Sequence, residues 1–327
     1  SWTAANCPVR YDVPGCCASC QPLSCRNAAA YPDIWGVKVA YEATASVYVV
    51  SLDTGQDDVA FRSRPNESGT SSYSYGDVSI SSRYVVARRV DSSNDEFPTR
   101  VVAKPIDNLS LREIILEPET GQDFINGIDV YEEWVVWGRR NLSNDTFELV
   151  VHNIETGVNR VLDSEARGCD LLSARVWGEK AYWVTTFGEI REQELETGET
   201  RTILTNPDFG YMSSFDVWEN HAVFTNDSGD DRYVLYHVDL NTGAYEHVMD
   251  PPINYQRNPT IHGGRIAWTD EASGLRVMIR SLESGEIYTV SNYVQGVLPT
   301  LFDRTLVWRS QPPSTHIRIL VTQIADI

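Results

Sequence analysis

Apolar and polar positions alternate along this chain in short runs, and one ten-residue version of the pattern recurs seven times. The clearest copies are Pro32-Asp33-Ile34-Trp35-Gly36-Val37-Lys38-Val39-Ala40-Tyr41 and Pro259-Thr260-Ile261-His262-Gly263-Gly264-Arg265-Ile266-Ala267-Trp268. Aligned on their last residue, the others end at Ala87, Trp137, Trp183, Phe224 and Trp308. The third column is then aliphatic throughout: Ile34, Ile80, Val130, Val176, Val217, Ile261 and Leu301. Alternation of this kind, rich in Val, Ile and Tyr, marks half-buried strands. A period of roughly 40–50 residues carrying such strands predicts a propeller or a solenoid.

Each repeat resolves into four strands. The first runs to a tight turn such as Gly36-Val37 or Gly263-Gly264, and the second carries the terminal aromatic. The third alternates, as in Val234-Leu235-Tyr236-His237-Val238. A turn then recurs as Leu52-Asp53-Thr54-Gly55, Ile154-Glu155-Thr156-Gly157, Leu195-Glu196-Thr197-Gly198, Leu240-Asn241-Thr242-Gly243 and Leu282-Glu283-Ser284-Gly285. Glycine supplies the positive φ that such a turn needs. The second repeat departs here, with Ile106-Asp107-Asn108-Leu109. The last copy stops at Ile324-Ala325-Asp326-Ile327, before a fourth strand. An open edge invites aggregation, so residues ahead of the first copy are expected to supply that strand. Val9–Val13 is the best candidate by alternation. The expected fold is therefore all-β: a seven-bladed β-propeller of four-stranded antiparallel blades, closed by an N-terminal strand. Residues 1–29 form a Cys-rich segment and 30–327 the propeller.

Composition narrows the class. The formal charge is −19, from 27 Lys and Arg against 46 Asp and Glu. Nucleic-acid binding needs clustered cations, and no such cluster stands in the sequence. No apolar run is long enough to span a membrane, and the first residues lack the pattern of a signal peptide. A lipid anchor ahead of Ser1, or membership of a larger surface assembly, stays open. Cys7, Cys16, Cys17, Cys20 and Cys25 crowd the start, with Cys169 alone downstream. An even number points to disulfides and an extracytoplasmic compartment. If all six pair, Cys169 bonds to the N-terminal group. The rival is a metal knuckle at Cys17-Ala-Ser-Cys20 with Cys25, but no second spaced pair or nearby His completes a zinc set.

The strand-and-turn pattern at Pro259–Trp268 and the Leu195–Glu199 turn resemble the TolB-like, WD40-related propeller repeats of bacterial envelope and secreted proteins. The resemblance spans nearly the whole chain at the level of the repeat. It implies the propeller and an envelope or secreted setting. The α/β domain that precedes the propeller in TolB has no counterpart in this sequence, so a partnership with lipoproteins is not carried over. Propellers host lyases, glycosidases, lactonases and pure binders, so fold alone does not give function.

Chemistry is expected on the face that carries the loops from strand four to the next strand one. The second column reads Asp33, Ser79, Asp129, Arg175, Asp216, Thr260 and Thr300, a polar ring expected at the channel mouth. Asp33, Asp129 and Asp216 could hold Ca²⁺, which prefers six to eight oxygens, or supply an acid–base pair. Equally, short polar residues here could bond to the backbone of neighbouring blades. The acidic strand 2–3 loops at Asp91–Glu96, Asn141–Asp145 and Asn226–Asp231 read as solvated hairpin tips.

Loop aromatics Tyr73, Tyr75, Phe124, Phe209, Tyr211, Tyr255 and Tyr293 are either sugar platforms or seals between blades. Histidines assemble no triad in this register, and no phosphate loop, nucleophile elbow or HExxH stands in the chain. Five N-x-S/T sequons, at Asn66, Asn108, Asn141, Asn144 and Asn226, matter only in a eukaryotic secretory pathway. The expected role is a non-catalytic propeller that binds a protein or polysaccharide through Tyr73, Tyr75, Tyr211, Tyr255 and the ring. No cofactor is required. The alternatives are a glycosidase or polysaccharide lyase using the three aspartates, and a structural subunit of an extracellular assembly.

Overall fold

The computed structural model describes residues 21–22, 29–65, 71–91, 99–117, 125–141, 146–166, 173–185, 188–206, 208–209, 211–227, 233–249, 255–272, 274–291, 296–310 and 318–324. The six cysteines, Val9–Val13, Phe124, Tyr293 and the tips of the acidic loops lie outside these residues, as does the side chain of Tyr211.

Seven antiparallel sheets follow one another as the seven repeats do, making a seven-bladed propeller of four-stranded blades. Blade one is Ala29–Trp35, Lys38–Ala43, Ser46–Ser51 and Asp57–Phe61. Blade two carries in addition the two-residue strand Arg64–Pro65, paired to its first strand. Its fourth strand shrinks to Ile114–Ile115, after the divergent Ile106–Leu109 turn. Blade seven takes its first three strands from Gly296–Phe302, Thr305–Ser310 and Arg318–Gln323. The N-terminus adds the fourth, through Gln21↔Val321 and Pro22↔Leu320. Closure from the N-terminus is thus as expected, with Gln21–Pro22 in the closing position. No helix among the described residues is long and apolar enough to cross a membrane.

The core lies between blades. The second-strand aromatics Tyr41, Trp137, Trp183, Phe224, Trp268 and Trp308 are almost wholly buried, with Ala87 in the equivalent place in blade two. Column three sits beside them: Ile34, Val39 and Tyr41 of blade one share a cluster with Val307 and Ile319 of blade seven. Seven such clusters close the ring. Burying a large apolar side chain contributes about 1.5–3 kcal/mol, so these layers dominate the stability of each junction.

Two local devices repeat. In the Leu-x-Thr-Gly turn the glycine has φ near +70°, as at Gly157 (+71°) and Gly243 (+72°). The residue ending strand three often holds this turn with its side chain: Asn153 Oδ1 accepts from the amides of Glu155 and Thr156, and Asp239 Oδ1 from those of Asn241 and Thr242. The second device was not legible in the sequence. In six of the seven blades the first strand bulges just before column two, as between Gly76 and Ser79 or between Val297 and Thr300. Positive φ at Asp77, Gly127, Ser214, Asn258 and Leu298 marks the extra residue. Bulges re-aim the side chains that follow, and here column two faces the axis.

Candidate functional site

The structure brings Asp33, Ser79, Asp129, Arg175, Asp216, Thr260 and Thr300 together around the central channel, where all seven line one cavity of about 480 Å³. Six of them lie two residues before the end of their first strand, as Asp33 does in Ala29–Trp35, and Ser79 lies one residue before the end of Ser71–Ile80. The ring therefore sits deep, toward the face of the strand 1–2 turns, rather than at the mouth beside the inter-blade loops.

The ring side chains tie the blades together. Asp33 Oδ2 accepts from Ile80 N (2.9 Å) and from Ser79 Oγ (2.9 Å) in blade two. Ser79 Oγ in turn accepts from Val130 N (3.3 Å) in blade three. Asp129 Oδ2 accepts from Val176 N (2.8 Å), and Asp216 Oδ2 from Ile261 N (2.8 Å). Arg175 Nε donates to Asp216 Oδ1 (3.0 Å), and Thr300 Oγ1 donates to Asp33 Oδ1 (3.3 Å), closing blade seven onto blade one. The first strand is the inner edge of its sheet, so its column-three amide has no ladder partner. A buried amide must be paired, and at Ile80, Val130, Val176 and Ile261 the preceding blade supplies the acceptor. That requirement accounts for the oxygen-bearing side chains of Asp33, Ser79, Asp129 and Asp216.

The electrostatics follow from this burial. Desolvation raises the Asp129 pKa to about 6, opposed by Arg175 and by the Val176 amide and reinforced by the charges of Asp33 and Asp216. Asp33 is also raised, by burial, against hydrogen bonds from Ile80, Ser79 and Ile34. Burial works against the Arg175 charge, but Asp129, Asp216 and Asp33 outweigh it and raise its pKa. Three carboxylates thus surround one guanidinium. Asp33 and Asp216 already use both oxygens on protein donors, and a cation stands among them, which suits Ca²⁺ poorly. Among the described residues no group of three or more His, Cys, Asp or Glu is arranged to hold a metal ion.

Below the ring lies a feature missed in the sequence. The fourth column reads Trp35, Ser81, Tyr131, Trp177, Trp218, His262 and Phe302. Trp35 of blade one meets Tyr131 at 5.3 Å, Phe302 at 5.1 Å and, across the channel, Trp177 of blade four at 6.3 Å between ring centroids. His262 stacks on Phe302 at 4.3 Å and meets Trp177 at 5.5 Å. These rings plug the channel at the strand 1–2-turn end. Burial lowers the His262 pKa, against Asp216 and Asp303, and its Nδ1 accepts from Asp303 N (2.8 Å). The plug therefore holds a neutral imidazole at pH 7. The signal was the column itself, aromatic or His at six of seven positions.

The loop aromatics do not gather with the ring. Tyr75 is buried and stacked on Phe61, and Tyr73 lies under Arg89. Phe209 is buried against Phe224 and Tyr236. Tyr255 is 41% exposed and has φ +74°. That conformation is costly for a bulky residue and is found most where structure serves function. Beside it, the Arg257 guanidinium covers the Tyr233 ring at 3.6 Å.

No protein-family model matches this chain, and no curated protein matches it. Solved structures do. An oligogalacturonate lyase from Vibrio parahaemolyticus aligns with TM-score 0.63 at 11% identity, over 94% of this chain and 94% of that one. TolB from Acinetobacter baumannii aligns with TM-score 0.51 at 12% identity, over 90% and 79%. A chain of a mitotic checkpoint complex aligns with TM-score 0.61 at 12% identity, over 94% and 91%. At these identities the likeness is one of fold: propellers of diverse function share this architecture.

Proposed function

We propose that this chain is a non-catalytic binding propeller working outside the cytoplasm. It recognises a protein or glycan partner on the face of its inter-blade and strand 2–3 loops. One observation carries the reading: the channel carboxylates are spent on holding neighbouring blades, through Ile80, Val176 and Ile261 amides and through Arg175. A carboxylate fixed by the frame is poorly free to attack or to shuttle protons to a substrate. The strained, exposed Tyr255 beside the Arg257–Tyr233 pair supports recognition on the opposite, loop-bearing face. The extracytoplasmic setting rests on the cysteine pattern. The reading requires no cofactor.

One observation favours a second reading, a carbohydrate-active enzyme. Asp129, with its pKa near 6 between two other carboxylates, has the proton affinity of a general acid or base. The two readings part on a glycan array probed with wild type, Tyr255→Ala and Asp129→Asn/Asp216→Asn chains. A binding propeller loses its ligand in Tyr255→Ala and keeps it in the double Asn variant. The opposite pattern would move recognition into the channel.

A further inference from the structure

The repeat breaks in blade two, and a second cavity of about 550 Å³ lies there, between the end of blade one and the divergent segment that follows Ile106. Its lining is unlike the rest of this acidic chain. Arg62, Arg64, Arg89, Arg100, Lys104 and Arg112 face it, six of the chain's 27 basic residues, and the carboxylate among its lining residues is Glu113. That carboxylate is already shared: it pairs with Arg89 and accepts from the Tyr75 hydroxyl at 3.4 Å. Arg62 and Arg112 are exposed and make no hydrogen bond or ion pair among the described residues. Arg89 is buried, and its Nε has no hydrogen-bond partner. Lys104 gives one hydrogen bond, to Leu109 O at 3.0 Å, of the three an ammonium can give. Apolar groups share the wall: Phe61 behind Lys104, and the exposed Leu111 and Ile115.

We propose that this cavity binds an anionic saccharide, its carboxylate or sulfate groups held by Arg62, Arg112 and Lys104 and its apolar ring face laid on Leu111 and Ile115. Guanidinium groups grip oxyanions bidentately, and uncompensated cations in a concave site raise the local concentration of anions. Sugar rings offer an apolar face that neutral pockets and simple anions do not use together. The cavity is of the size that holds a small ligand. It is distinct from the channel and does not depend on the partner proposed for Tyr255.

The test is calorimetric titration of the full chain with trigalacturonate, with a heparin-derived tetrasaccharide and with maltotriose as the neutral control. Wild type is expected to bind at least one of the two anions saturably, less tightly as salt rises, and not to bind maltotriose. Binding of trigalacturonate shows that carboxylates suffice, and binding of the heparin tetrasaccharide alone, which carries both carboxylates and sulfates, shows that sulfates are needed. Arg62→Ala/Arg112→Ala changes exposed side chains only, and its melting temperature is expected to match wild type. Its affinity is expected to fall by about tenfold or more, the scale of lost charge-assisted hydrogen bonds. Lys104→Gln is expected to weaken binding in the same direction. No binding of either anion, equal binding of maltotriose, or a smaller loss in the double variant would overturn the proposal.

Discussion

Asp129 shows how one side chain serves both frame and field. Its carboxylate holds the Val176 amide and faces Arg175, yet burial still lifts its pKa from 3.8 to about 6. A carboxyl raised on folding binds its proton more tightly in the folded chain. Its contribution is thus fully present below about pH 4 and is lost as pH rises through about 6. Asn keeps the acceptor for Val176 and removes the titration. The stability gap between wild type and Asp129→Asn, read from denaturant melts, is therefore expected to move toward the variant between pH 4 and pH 7. The movement is at most about 3 kcal/mol, at roughly 1.4 kcal/mol per pKa unit. A gap that stays flat across this range would mean that Asp129 keeps an ordinary pKa. Column two was legible as polar from the sequence, and a bond to the neighbouring blade's backbone was one of the readings open there. Which amide each residue holds was not, because that depends on the bulge that turns it to the axis.

At the scale of strands and turns, two glycines separate conformational from steric cost. Gly157 and Gly243 share the same turn and nearly the same φ, +71° and +72°. A Cβ on Gly157 would meet nothing within 4 Å, whereas one on Gly243 would stand 2.6 Å from the carbonyl oxygen of Ile203 in blade four. Gly157→Ala is expected to cost about 1–2 kcal/mol, the penalty of the left-handed conformation. Gly243→Ala is expected to cost more, since a backbone atom must give way. Equal losses in thermal melts would contradict the contact. The second-strand aromatics make the complementary case: Trp268→Ala, at a fully buried site, is expected to cost about 3–5 kcal/mol. Strand periodicity and the Thr-Gly turns could be read directly from residues. The bulges could not, since an extra residue leaves the spacing from column two to the aromatic unchanged. The aromatic plug could have been read from column four, but a Trp or His at a strand end resembles ordinary edge packing until opposite blades are seen to meet.

At the scale of the molecule, the ring holds because its ends are joined. Gln21–Pro22 covers the edge of Arg318–Gln323, and exposed edges of this kind pair with other chains. A chain beginning at Leu23 is expected to melt at a lower temperature and to associate at high concentration, measured by light scattering. Unchanged melting and a monomer would show that blade seven needs no fourth strand. The architecture was legible because seven copies repeat one pattern, and closure followed from the missing strand in the last. The basic cavity of blade two was not, because its cations lie scattered from Arg62 to Arg112 and meet only after folding. The central claim is that the channel carboxylates serve the frame and not turnover. It is tested most directly by incubating the protein with neutral and acidic polysaccharides and measuring new reducing ends and unsaturated products, beside Asp129→Asn/Asp216→Asn. The expected result is no product from wild type and a double variant altered in stability alone; product formed by wild type and abolished in a folded double variant would contradict it.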